Sequence, residues 1–212
     1  ARQLVASLLA VEDLPAGLRQ SILEKAEGNP FFLEEAIRSL LDRGLIIRVD
    51  NHWRATREIE AIEVPDTLVG VITARLDRLD DAVKSILQAA SVLGREFSAQ
   101  TLSDLIAAPE ALPQALVVLQ SHGYIREKSA AGHVYIFRHV LTQEAGLNSI
   151  LLSSRRELHR RAAESLIQRY PDSPVAIAHH LVEARLTGRA VPYLVLSGER
   201  AARASSNAEA ID

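Results

Sequence analysis

Two short runs carry side chains that could meet a nucleotide. The first is Gly28-Asn29-Pro30-Phe31. Glycine stops a preceding helix, asparagine caps the next one, and proline fits a first helical position. That reading explains each residue without a ligand, and the same triplet is also a candidate nucleotide contact. Phe31 and Phe32 could flank an adenine ring; paired aromatics at a helix start also serve as core residues, and Phe32 is expected there. The second run is Arg138-His139, placed after a strand. A cation at a strand end suits an anion such as phosphate, and a packed or capping pair at a strand-helix junction is the alternative.

Other polar clusters have simpler readings. Arg155, Arg156, His159, Arg160 and Arg161 form a basic helix face, expected to be solvated, with Glu157 to Arg161 as an ordinary i,i+4 pair. His179-His180 invites a metal, yet adjacent helical residues point about 100° apart and rarely share an ion. No HExxH spacing accompanies them, and no metal ligand is expected. No nucleophile-elbow context surrounds any Ser/His/Asp set, so no catalytic residue is expected either. No Gly-x-x-x-x-Gly-Lys-Ser/Thr loop is present to cradle phosphates.

The elements that must position these residues are mostly helical. Leu4–Leu9 reads as a short helix and residues 16–27 as a second, ending at Gly28. A third starts at Asn29-Pro30 and carries Leu33, Ala36, Ile37, Leu40 and Leu41 as one apolar stripe up to Gly44. Residues 45–49 and 52–55 flank Asp50-Asn51 as a hairpin. Asp66 is placed to cap a helix carrying Leu68, Val69, Ile72, Leu76 and Leu79. Helices follow from Asp80-Asp81, Ser98 and Pro109. Residues 124–128 and 133–137 then alternate around Ala130-Ala131-Gly132 as a β-hairpin. Helices plus a hairpin in this order predict a winged helix. A long helix is expected from Ser154 to Tyr170, then a pair, Val175–Arg185 and Ala190–Ala204, around Gly188. Small residues on that pair suit the start of a helical repeat array.

Lys plus Arg numbers 24 and Asp plus Glu 27, a net charge of −3 that gives no pull toward nucleic acid or anionic membrane. The absence of cysteine excludes disulfides and thiolate zinc sites, which fits a reducing cytoplasm. No apolar run approaches the roughly 20 residues of a membrane helix. The chain opens on Ala1-Arg2 and stops at Ile211-Asp212 within an Ala-rich pattern, so both ends are expected to be cuts.

The series GNPFFLEEAIRSL, VPDTLVGVITARLDRL, AASVLGREF, YIFRHVLTQEAGLNSILLSSRRELHRRAAESL, AIAHHLVEA and VPYLVLSGERAA resembles the segment after the ATPase core in bacterial signal-transduction ATPases with numerous domains. It is similar to large LuxR-type regulators and to class III adenylyl cyclases with an ATPase module. The resemblance implies a mainly α chain. Residues 1–58 would be an ATPase lid-like helical domain with a small hairpin, 59–152 a winged-helix domain, and 153–212 the start of a tetratricopeptide-like superhelix. It implies ADP or ATP, with magnesium, in the parent protein and none for the isolated chain.

In relatives, the proline of the Gly-x-Pro motif packs near adenine, a role that falls on Pro30, and a winged-helix histidine touches the β-phosphate, for which His139 is the nearest match. The cofactor-binding candidates are thus Gly28, Asn29, Pro30, Phe31, Arg138 and His139. The expected partners are an upstream P-loop core, downstream helical repeats and other proteins, with neither nucleic acid nor membrane. The expected function is a regulatory, nucleotide-sensing and packing segment of a cytoplasmic multidomain ATPase whose output is cyclase or transcriptional. The alternatives are a helical protein-binding adaptor and a DNA-binding winged helix. The last is disfavoured because no Lys or Arg lies between Arg95 and Arg126, where the recognition helix falls.

Overall fold

A computed structural model describes residues 11–50, 52–56, 59, 64–129 and 132–209. The expected helix at Leu4–Leu9 lies outside the described residues, as do Asn51, Ala130 and Ala131. The chain is mainly helical, with two small antiparallel sheets. It divides into two compact units, residues 1–80 and 81–212.

In the first unit, α1 (Ala16–Ala26) and α2 (Pro30–Asp42) precede the hairpin β1 (Ile46–Val49) and β2 (His52–Ala55), and α3 (Leu68–Leu76) closes the unit. The hairpin pairs Val49 with His52 across its tight turn, and Asp50 there takes a φ of 46°. Glu12 adds a bridge to Arg54 on the outer strand. The α2 stripe is inward as expected: Leu33, Ala36 and Leu40 are buried, with Ile37 and Leu41 packed against the same core. Phe32 is buried too, as its simpler reading required. Ile22, Ala26, Leu45, Ile46 and Val71 complete the centre of this core.

Helix α3 is held by charge as well as by apolar contact. The Arg75 side chain is only 1 % exposed and forms an ion pair with Glu35 of α2, itself 3 % exposed. Arg75 Nε also donates to Asp42 Oδ2 at 2.8 Å. This bond network groups α3 with α2, so the units part at 80/81, a different division from 58/59. The cap of α3 corrects the sequence expectation. Thr67, not Asp66, is the cap, its hydroxyl accepting from Gly70 N at 3.1 Å. Asp66 pairs instead with Lys25 at 2.8 Å, which holds its carboxyl below the usual range. Val69, expected on the apolar face, is exposed, and Val71 takes the inward place.

The second unit starts with α4 (Asp81–Leu93), followed by β3 (Glu96–Ser98), α5 (Ala99–Leu105), a 3-10 turn at Pro109–Ala111, and α6 (Leu112–Ser121). Strands β4 (Ile125–Ser129) and β5 (Val134–Phe137) come next. The sheet order is β3-β5-β4, so a third strand joins the expected hairpin. Phe97 explains it: the ring packs 6.0 Å from Tyr135 and 5.6 Å from Phe137, between centroids. Ser98 caps α5 as expected, accepting from Thr101 N at 3.0 Å.

The remaining helices are α7 (Val140–Asn148), α8 (Leu152–Arg169), α9 (Pro174–Glu183) and α10 (Thr187–Glu209). Gly146 lets α7 press on α4, because a Cβ there would lie 2.8 Å from Leu87 Cδ2 and 3.2 Å from Ser91 Cβ. Gln143 of α7 donates to the Ser91 carbonyl at 2.7 Å. Helices α8 and α9 share a small apolar core of Ala163, Ile177 and Leu181, to which Ala190 of α10 adds. Asp104 ties α5 to α8 by accepting from Arg169 Nε at 2.6 Å and Nη2 at 2.8 Å, and from Ser165 Oγ at 2.6 Å.

Two stability predictions follow from these charges. Arg75→Ala strands the Glu35 carboxylate in the core and should destabilise the first unit by about 3–5 kcal/mol. Arg75→Met with Glu35→Leu should recover most of that loss. Trp53, the one tryptophan of the chain, lies in the first unit and reports its urea unfolding by fluorescence. Asp104→Asn should cost about 1 kcal/mol at pH 7. The Arg169 hydrogen bond, with Ser165 in support and burial opposing, holds the Asp104 carboxyl below its ordinary 3.8. Its contribution is therefore present above that value and is lost as pH falls through the lower folded value. The difference between wild type and Asp104→Asn in urea midpoint, followed by helical circular dichroism because Trp53 lies in the other unit, should shrink below about pH 3.8 and vanish in stronger acid.

Candidate functional site

The chain makes the first candidate run by reversing direction between two helices. Glu27 and Gly28 both take left-handed backbone, with φ of 46° and 80°. A Cβ on Gly28 would meet nothing within 4 Å, so backbone shape alone asks for glycine there. Asn29 then turns to extended backbone, and its Oδ1 accepts from Phe31 N at 3.0 Å. Pro30 stands at the first turn of α2, where its missing N–H leaves no helical bond unmade. Gly28, Asn29 and Pro30 are exposed, and Phe31 is half-buried above the buried Phe32. The exposed face of this turn is thus apolar at Pro30 and polar at Asn29.

Behind that turn, burial pushes the Glu35 carboxyl up from its ordinary value, and the Arg75 charge and hydrogen bond pull it back only in part. Glu34, one residue nearer the helix start, pairs instead with Arg38 at 3.0 Å on the outer side.

The second run sits where β5 passes into α7. Arg138 is exposed, and its backbone N donates to the Tyr124 carbonyl at 3.0 Å, which extends the β4–β5 pairing. His139 is half-buried and occupies the cap position of α7 with extended backbone. Its side chain makes no capping bond; its carbonyl accepts from Thr142 N at 3.1 Å. Residues 28–31 belong to the first unit and residues 138–139 to the second.

A third constellation escaped the sequence reading. His159 does not lie on the solvated basic face with its neighbours. It is 2 % exposed, on α8, and faces His180 of α9, which is 5 % exposed. Their Nδ1 atoms are 2.9 Å apart, so in the neutral pair one ring donates to the other. The exposed His179 ring stands close by, its centroid 5.9 Å from that of His159 and 5.1 Å from that of His180. Burial drives His159 down to about 4, with Glu183 opposing, and His180 down to about 3, with His159 and His179 adding to the effect.

The sequence did hold a signal for this burial. His159 is three and four residues before the buried Ala162 and Ala163, on the same helix face. Of the basic residues beside it, Arg160 takes the place expected of Arg161, bonding Glu157 at 2.6 Å and Glu164 at 2.7 Å, and Arg155 pairs with Glu183 of α9 at 3.7 Å.

Comparison with known proteins gives little that names a function. Residues 1–54 match a family described as a domain of unknown function, DUF8739. An uncharacterized protein of Rhizobium meliloti (strain 1021), R02095, is 30 % identical over 148 residues, covering 66 % of this chain. The chain spans 14 % of the length of that relative. No solved structure matches the chain.

Asn29→Ala separates the structural part of the first run from any ligand part. It should cost about 1 kcal/mol of first-unit stability through loss of the cap. The Trp53 unfolding midpoint checks this, and Asn29→Ser should restore most of the loss.

Proposed function

We propose that this chain is a regulatory, nucleotide-sensing and packing segment of a larger signal-transduction ATPase, whose output is an adenylyl cyclase or a transcriptional regulator. The observation that carries the reading is the exposed Gly28-Asn29-Pro30 turn. Its cap is complete without a ligand, yet it leaves a rigid proline ring facing outward in front of a helix start. Proline's fixed φ makes that surface a firm one for an adenine ring. In the second unit, the exposed Arg138 beside His139 supplies cationic and hydrogen-bonding groups suited to a phosphate. The low coverage of the R02095 relative agrees with a segment that works inside a much longer chain.

The order of α4, α5 and α6 followed by β4 and β5, with β3 completing the sheet, supports reading residues 81–137 as the main part of a winged helix. The α8–α9–α10 succession supports reading the last part as the start of a helical repeat array. The helix that would enter a DNA groove, α6, carries no Lys or Arg. Phosphate neutralisation supplies most of the affinity for duplex, so the winged helix is proposed as a packing module and not as a DNA reader.

In this reading the phosphate chemistry belongs to a separate P-loop core with its magnesium, and this chain only reports which nucleotide is bound. His139 would donate a hydrogen bond to a phosphate oxygen, and Pro30 would cover the base. A charge-assisted hydrogen bond is worth roughly 1.5–3 kcal/mol, enough to shift a closed state favoured by a few kcal/mol. His139→Ala in the longer protein should lower the ADP that remains bound through purification by at least about tenfold and raise basal output. Pro30→Ala should act in the same direction, more mildly. Nucleotide content by chromatography of the denatured protein checks both, with helix content as the control. Wild-type ADP retention in both variants would make these residues purely structural.

A further inference from the structure

The histidine cluster of α8 and α9 has features that helix packing alone does not require. Packing α8 on α9 calls for small and apolar residues, which Ala163, Ile177 and Leu181 supply. Two imidazoles set into that seam add polar atoms whose desolvation must be offset. The offset is incomplete. His159 and His180 share one hydrogen bond through their Nδ1 atoms, and His159 Nε2 is buried with no partner. The deficiency persists in either tautomer. If His159 donates through Nδ1, its Nε2 is a bare lone pair; if it accepts, its Nε2 is an idle N–H.

We propose that His159, His179 and His180 form a binding site for a borderline divalent cation of the zinc class. One potential ligand atom from each residue lies within 4.8 Å of the other two. Nitrogens bound to zinc at roughly 2.0–2.1 Å stand about 3.3 Å apart in a tetrahedron. The buried pair, at 2.9 Å, is already inside that spacing. His179 is exposed, so its ring can close the remaining distance by rotating about its own side-chain bonds. The objection that adjacent helical residues diverge is met here by the position of His159. It comes from the neighbouring helix and its ring approaches both members of the pair.

Two further features fit a cation. A groove lined by His179, His180, Asp172 and Ser197 gives access from solvent. Both buried rings are neutral at pH 7, the form that binds metal. Imidazole-only ligation selects zinc, copper, nickel or cobalt over magnesium or calcium. With three protein nitrogens the fourth position is open to water or to an exogenous ligand. The ion would replace the Nδ1–Nδ1 hydrogen bond as the link between α8 and α9.

The test uses the untagged chain, stripped with EDTA and dialysed, then titrated with zinc chloride at pH 7.5 by calorimetry. The expected result is one zinc per chain with an affinity of about micromolar or better, and a rise in melting temperature with zinc. His179→Ala alters only an exposed side chain and should keep its helix content while binding roughly tenfold or more weakly. His159→Gln should lose the site even where it lowers stability, and His122→Ala, just after α6, should bind as wild type does. Cobalt(II) in place of zinc should give visible absorption bands that His179→Ala weakens. Absence of saturable one-to-one zinc binding by wild type overturns the proposal. So does zinc binding by His179→Ala equal to that of wild type, which would leave the three rings as a packing cluster only.

Discussion

A polar group carried inward on an apolar helix face must find its partner inside the core, and this constraint organises both units. Arg75 is the strongest case. Its position on α3 lies on the same face as Ile72 and Leu76, so burying those side chains also takes the guanidinium out of water. Dehydrating that charge is tolerable only because α2 offers Glu35 and Asp42 seven residues apart, two helical turns on one face. The pair therefore fixes the placement of α3 against α2 more narrowly than apolar contact can, since apolar contact is non-directional. Thr67 caps α3 at the same time, and Asp66 is left for Lys25.

The second unit meets the same constraint with weaker charges and closer backbones. Gly146 brings α7 so near to α4 that Gln143 can donate to a carbonyl of the opposite helix. Asp104 takes three donors from α8, two of them from one guanidinium, which orients α5 along that helix. Among the described residues of the second unit, the α8–α9 seam is where a buried side-chain nitrogen is left without a partner. There the polar groups are imidazoles, their one mutual bond satisfies a single nitrogen on each ring, and the third imidazole, His179, stays at the surface. A seam of alanines and leucines would have been simpler to bury, so the histidines ask for a reason other than packing.

Much of the scaffold was legible in the sequence because it is written in local signals. Gly28, Gly44, Gly94 and Gly123 all take positive φ after helices, and Asn29 and Ser98 cap where their residue types indicate. The apolar stripe of α2 predicts its own burial. Less could be read where the deciding partner is distant in sequence. Strand β3 is three residues long and exists because Phe97 packs on Tyr135 and Phe137, some 40 residues away, as the ring contacts show. Thr67 and Asp66 are both good capping residues, and the choice between them was made by Lys25. His159 looked like one more member of a basic face, because its burial depends on His180, a residue 21 positions on.

The candidate nucleotide residues illustrate a different limit. Asn29 and Pro30 are fully accounted for by helix capping, and His139 by its place at the start of α7. A residue that is well explained locally can still serve a ligand, but local geometry then carries no trace of it. The histidine cluster is the opposite case: its local geometry is incomplete, with a buried nitrogen that nothing in the described chain satisfies. Unsatisfied burial is a cost that folding alone gives no reason to keep, whereas an exposed and satisfied cap costs nothing. The α8–α9 seam therefore carries a local polar deficit, and the Gly28–Phe31 turn carries none. The role proposed for that turn rests on the ordered series of motifs around it and on the rigid surface Pro30 presents.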